Sequence, residues 1–177
     1  MRNNRKLIQL ALLIAMAGVL HFIETILPLP LPIPGFKLGL ANIITLFVVV
    51  VYGLREAFLV SLLRTTLGTL MAGALFGLPF ILGVAGALLA CLIMHVVFRY
   101  LTPVFSLVGV SIMGAVAHNA AQLGIAMIVL KLPDLIFYFP YLILFAVGTG
   151  TITGLIITGI LRKLPLTLWG IPLPKNK

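Results

Sequence analysis

The sequence predicts an all-α integral membrane protein: six transmembrane helices in one bundle, both termini cytoplasmic. Three observations predict it. First, hydrophobic residues make up 62% of the 177 residues and charged residues only 8%, against about 45–50% and about 25% in a soluble domain. So few charges cannot cover a water-facing surface, which excludes a soluble enzyme, a disordered chain and a disulfide scaffold. Second, the apolar runs are continuous, as in ITLFVVVVYG at 44–53, whereas the strands of a membrane barrel alternate apolar and polar residues. Third, the basic residues are segregated, as the order of the spans shows.

A spanning helix needs about 20 apolar residues, because the hydrocarbon core is about 30 Å thick. The first span covers about 7–27. Pro28, Pro30, Pro32 and Pro34 then stop it, since proline lacks the amide donor. This PLPLPIPG stretch is the longest loop and is expected to be extended and stiff. The next spans fall at about 38–52, 55–76, 80–98, 106–130 and 135–161, separated by Gly53, by Gly77 with Pro79, by Arg99 to Pro103, and by Lys131 to Asp134. A short basic tail, 162–177, follows. The whole chain thus reads as a single domain.

On this layout Arg2, Arg5, Lys6, Arg55, Arg99, Arg162, Lys163, Lys175 and Lys177 share one side, and only Lys37 and Lys131 lie on the other. The side richer in Lys and Arg is cytoplasmic. Both termini are therefore expected inside, with the proline loop and the 77–79 and 131–134 turns outside. The apolar run continues past Ala15-Met16-Ala17, so cleavage of a signal peptide there is not expected.

Polar side chains within the spans are few, and a charge at mid-helix costs about 2.5–3.5 kcal/mol. Glu24 lies near the outer end of the first span with His21 one turn below, and Asn42 near the outer end of the second. Arg64, Thr65, Thr66 and Thr69 occupy the third span; His118, Asn119 and Gln122 the fifth. His118 and Gln122 are four apart and share a helix face. Lys37 ends the proline loop. These positions point to a polar cavity open to the exterior, lined by Lys37, Asn42, Arg64, His118, Asn119, Gln122 and Glu24. Its donors and its fixed guanidinium suit a small amphipathic ligand with an anionic or acceptor-rich group. The alternative is an internal network in which Glu24 neutralises Arg64. His95, nearer the cytoplasmic end of its span, reads as interfacial or packed.

Small residues form a second pattern. Ala11 and Ala15 are four apart with Gly18 one turn on, which lets another helix approach closely; an external partner and internal packing both fit. The pairs Gly73 and Gly77, and Gly150 and Gly154, read as packing within the bundle. Cys91, the single cysteine, reads as a small buried apolar residue.

Several chemistries are excluded or demoted. No GxxxxGK[ST] phosphate loop is present, and GTGTITG at 148–154 is an apolar span without a lysine. Three acids scattered at Glu24, Glu56 and Asp134 do not make a two-carboxylate magnesium site. No Cys/His set fits zinc. Neither a cofactor nor a catalytic residue is expected.

PGFKLGLANIITL at 34–46, LREAFLVSLLRTTLGTLMAG at 54–73 and FSLVGVSIMGAVAHNAAQL at 105–123 resemble one family. It is named either for heptaprenyl diphosphate synthase component I or as the Gx transporter family. That family looks like a branch of the S components, the substrate-binding subunits of energy-coupling factor importers. The resemblance implies a six-helix bundle in the plasma membrane of a bacterium, capturing a nutrient from outside. It implies as partners a transmembrane T component and two cytoplasmic ATPases. Ala11 and Ala15 stand where such proteins contact the T component, and the proline loop stands where they cap the substrate. The synthase name implies instead a non-catalytic membrane accessory of prenyl diphosphate synthesis in menaquinone formation, since prenyl elongation needs aspartate-rich motifs and this chain has only Asp134. Under either name an isoprenoid or quinone-related ligand is in keeping.

Overall fold

The computed structural model describes residues 2–26, 39–102 and 104–164. The proline loop, Lys37 and the tail beyond 164 lie outside the described residues. The described chain is helical throughout: α1 (Arg2–Ile26), α2 (Leu40–Val51), α3 (Leu54–Met71), α4 (Leu78–Tyr100), α5 (Leu107–Leu130) and α6 (Phe139–Lys163), with a 3₁₀ turn at Pro133–Tyr138 leading into α6. Helix starts follow local chemistry. Pro79 and Pro140 sit in the first turns of α4 and α6, where their missing amides would be unbonded anyway. Ser106 caps α5 by accepting from the Gly109 amide at 3.3 Å.

The six expected helices are present among the described residues, but not every one has the length and apolar character of a span. Among the described residues four segments are long and apolar enough to cross a membrane: Asn4–Glu24, Leu78–Tyr100, Leu107–Leu130 and Pro133–Lys163. The 12 residues of α2 rise only about 18 Å. The 18 residues of α3 include Arg55, Glu56 and Arg64, which makes it too polar by composition. Helix α3 also stops short of 76, because Gly73 turns the chain with φ 66°, a conformation that costs glycine little. Gly73 and Gly77 are therefore turn residues; a methyl group on Gly73 would meet nothing within 4 Å. Gly150 and Gly154 do pack as expected: their Cα atoms face the α5 backbone at Ile112 and Val108, with no room for a side chain. Beside them Ser111 and Thr153 share a buried hydroxyl contact of 2.5 Å.

Helix α2 is the centre of the bundle. It buries Ala41 and the run Ile44 to Val49, and a helix apolar on all sides belongs in an interior. It touches α1, α3, α4, α5 and α6. Around it α1 packs on α3, α3 on α4, α4 on α5 and α5 on α6. Ala17, Val48, Val60, Ala90, Cys91, Val110 and Ile157 are fully enclosed, so Cys91 is a core residue as expected.

Two sets of polar contacts bracket α1 and α2. At one end Glu24 accepts from the Leu40 amide. At the other, the Tyr52 hydroxyl donates to Gln9 at 2.8 Å, and Lys6 pairs with Glu56. The α2–α3 turn thus lies beside the N-terminal part of α1, and α2 runs from the Glu24 level to the Gln9 level.

Candidate functional site

The polar residues of five helices converge beside the start of α2. Helix α1 contributes His21 and Glu24, α2 contributes Asn42 just past Gly39, α3 contributes Arg64, α5 contributes His118 and Asn119 with Ala115, and α6 contributes Thr149. His21 and Glu24 share a face because they are three apart. The cavity among these groups measures about 20 Å³, room for about one water molecule.

Arg64 is its central group. It is 2% exposed. Its Nη2 donates to Asn42 Oδ1 at 2.9 Å, and its buried Nε has no hydrogen-bond partner. Among the described residues no ion pair joins Arg64 to Glu24; the carboxylate acts on the guanidinium only through space. Glu24 is engaged instead at the first turn of α2, through the Leu40 amide. Internal neutralisation by direct contact is therefore not what the geometry contains.

The histidines are set by glycine. A methyl group on Gly68 would lie 2.8 Å from His21 Cβ and Cγ, and one on Gly86 would lie 2.9 Å from His118 Nε2 and 3.0 Å from Gln122 Cγ. Each ring therefore rests on a neighbouring helix where no side chain intervenes. Thr65 and Thr69 return their hydroxyls to α3 carbonyls, at 2.9 Å to Ser61 and 2.7 Å to Thr65, and hold no position in the cavity.

Of the residues expected at the site, Glu24, Asn42, Arg64, His118 and Asn119 line one cavity. Gln122 does not line it and packs against Gly86. Asn119 has a structural bond as well: its Nδ2 donates to the Leu142 carbonyl of α6 at 3.1 Å. Lys37 lies outside the described residues. His21, Gly39, Ala115 and Thr149 belong to the lining but were not expected there. For His21 the signal was its spacing from Glu24; for the other three the sequence carries none. Ala11 and Ala15 lie far from the cavity on the exposed side of α1.

Among the described residues, fold and site together define an all-helical protein with four segments fit to cross a membrane and a polar cavity built around a buried arginine. A family described as heptaprenyl diphosphate synthase component I matches residues 13–160, and the chain belongs to it. No curated protein and no solved structure matches the chain.

Proposed function

We propose that this chain is the non-catalytic membrane subunit of a prenyl diphosphate-forming assembly, and that its cavity receives the anionic or acceptor-rich part of a small amphipathic ligand. Arg64 carries the reading. A buried guanidinium held by one hydrogen bond to a neutral amide is expensive, and interhelical polar contacts in membranes average only about 0.6 kcal/mol. Holding helices together is a poor return for that cost. Binding an anion through two parallel bonds is what guanidinium geometry does best. The family supplies the assembly. The acids argue against catalysis by this chain: Glu24 is in the cavity, Glu56 pairs with Lys6, and Asp134 is exposed in the turn before α6, so no two of them share a site.

The wider setting is part of the proposal. The protein lies in the plasma membrane of a bacterium as one domain, α2 and α3 cross together with the four longer segments, and both termini are cytoplasmic. The nine-to-two division of basic residues supports this, as does the α2–α3 turn lying beside the N-terminal part of α1.

A second reading has its own support: a substrate-binding subunit of an energy-coupling factor type importer, working with a T component and two ATPases. Ala11 and Ala15 are exposed on α1 among exposed Leu7, Ile8 and Leu12, a surface on which a partner helix can approach closely. The test is co-purification of the tagged chain from native membranes. A soluble aspartate-rich prenyl synthase in the eluate supports the first reading; a T component with ATPases replaces it with the second.

A further inference from the structure

We infer that the bundle carries a ring of four arginines, Arg5, Arg55, Arg99 and Arg162, that binds the phosphate headgroups of anionic lipids in one leaflet. On the topology proposed above that leaflet is the cytoplasmic one. The ring is a different surface from the cavity and does not depend on the reading of Arg64.

The four guanidinium groups lie at one end of the bundle. Arg5 and Arg55 are level, because Lys6 pairs with Glu56 and the Tyr52 hydroxyl donates to Gln9. Helix α4 turns back on α3 and packs along it, with Gly83 against Thr65, so its last turn, with Arg99, returns to the level at which α3 begins. Helix α5 runs back along α4, with Gly86 against Gln122 and Gly114 against Met94, and α6 runs back along α5, with Gly150 against Ile112 and Gly154 against Val108. The last turn of α6, with Arg162, therefore lies at the same end.

Each of these arginines is exposed and stands on the apolar flank of its helix. Arg5 is three residues from Ile8, Arg55 four from Leu59, Arg99 three from Val96 and Arg162 seven from Leu155, all exposed, and at such spacings side chains share a helix face. These flanks face hydrocarbon when the helices cross. Each guanidinium therefore ends its stripe where acyl chains give way to headgroups, the place to which long basic side chains reach. The chain has no carboxylate left to pair with them. Its whole sequence holds three acids: Glu24 lines the cavity, Glu56 is taken by Lys6, and Asp134 lies in the 3₁₀ turn at the other end. The general sorting of Lys and Arg explains an excess of charge at one end. It does not require the charges to stand on lipid-facing stripes, nor all four to be arginine, whose fork grips phosphate oxygens through two parallel bonds. A soluble acidic partner would cover the end of the bundle; the outer flanks of four helices are within reach of lipid.

The test uses the full chain in nanodiscs of phosphatidylcholine and phosphatidylglycerol in equal parts. Electron spin resonance of spin-labelled phosphatidylglycerol or phosphatidylcholine reads the share of each lipid immobilised at the protein surface. One cation near the surface favours an anionic lipid by about fivefold. Averaged over a boundary shell in which most positions are not beside an arginine, the wild type should prefer phosphatidylglycerol by at least about twofold. The preference should fade in about 1 M salt, where screening acts within about 3 Å. The variant carrying Arg5→Gln, Arg55→Gln, Arg99→Gln and Arg162→Gln should show no preference. Lys131→Gln, which removes an exposed cation at the other end, should keep it. All four replaced arginines are exposed, where substitutions rarely unfold a protein, and the wild-type preference with its salt dependence tests the ring without any variant. Equal uptake of the two lipids by the wild type overturns the proposal, as does a quadruple variant that keeps the preference. Loss of the preference in Lys131→Gln as well would reduce it to an effect of net charge and overturn it too. If the wild type shows no preference and the quadruple variant loses a co-purifying acidic protein, the ring belongs to that protein instead.

Discussion

Arg64 donates to Asn42 across 2.9 Å, and no ion pair takes it to Glu24. Asn42 and Arg64 are thus coupled as charge and dipole, while the Glu24 carboxylate acts on the guanidinium through space. A double-mutant cycle of Arg64→Gln with Asn42→Ala should show a coupling of about 1.5–3 kcal/mol, the range for hydrogen bonds to charged groups. The cycle with Glu24→Gln should show less. Unfolding in mixed detergent measures both. A Glu24→Gln change that restores the stability of Arg64→Gln would reveal a charge pair and remove the argument for an anion site.

Binding should fall with Arg64→Gln by more than with Gln122→Ala. Gln122 touches Gly86 rather than the cavity, so its loss leaves the donors in place. Diphosphate binding to the two purified variants makes the comparison. Equal losses would mean that the ligand sits closer to Gln122 than the cavity does.

Gly86→Ala tests the seat of His118. The added methyl would lie 2.9 Å from the imidazole, well inside van der Waals contact, so the ring must move. Overpacking of this kind costs about 1–3 kcal/mol, and ligand affinity should fall with it. Gly124→Ala is the control, because a methyl there meets nothing within 4 Å. Unfolding midpoints and binding isotherms of both variants decide; a neutral Gly86→Ala would mean the histidine is not held by that contact.

The parts of the fold that read directly from the residues are those where one signal dominates. Continuous apolar runs placed α5 within one residue and α4 within two at each end, because hydrocarbon length and helix rise leave little choice; α1 begins five residues earlier than its apolar run, through the polar stretch Arg2–Lys6. Helix α3 was read too long: ALFG after Gly73 is as apolar as a helix, and only the positive φ of Gly73 breaks it. The start of α6 was read too early, because Pro133 opens a separate 3₁₀ turn. In the site, charged and amide side chains within apolar helices stand out, so Arg64, Asn42, Glu24, His118 and Asn119 were legible. Thr149 was not. Its neighbours Gly148 and Gly150 made the stretch look like packing, and Gly150 does pack, while Thr149 faces the other way into the cavity.

Replacing Ala11 and Ala15 together by Leu should leave the isolated protein as stable as before, within about 0.5 kcal/mol, because both are exposed and such changes rarely matter. Co-purification with any membrane partner should drop. An unchanged complex would assign this face of α1 to lipid.

Labelling of introduced cysteines separates four crossing segments from six. Cys91 is fully buried, so the native chain should give little background. Asp134 is exposed in the turn before α6, and Asn4 and Arg55 are exposed near the opposite end. The pairing of Lys6 with Glu56 and of Gln9 with Tyr52 fixes the α2–α3 turn at the level of the N-terminal part of α1. If α1 crosses and its N-terminal end is cytoplasmic, that turn is at the cytoplasmic face too, and α2 and α3 must carry the chain across and back despite the shortness of α2. An impermeant maleimide added to intact cells should therefore modify Asp134→Cys and spare Asn4→Cys and Arg55→Cys, which react only after permeabilisation. Modification of Asn4→Cys from outside would invert the topology. Failure of Arg55→Cys to react from either side would leave α2 and α3 as a hairpin dipping into the membrane, with Arg64 reached from one face only.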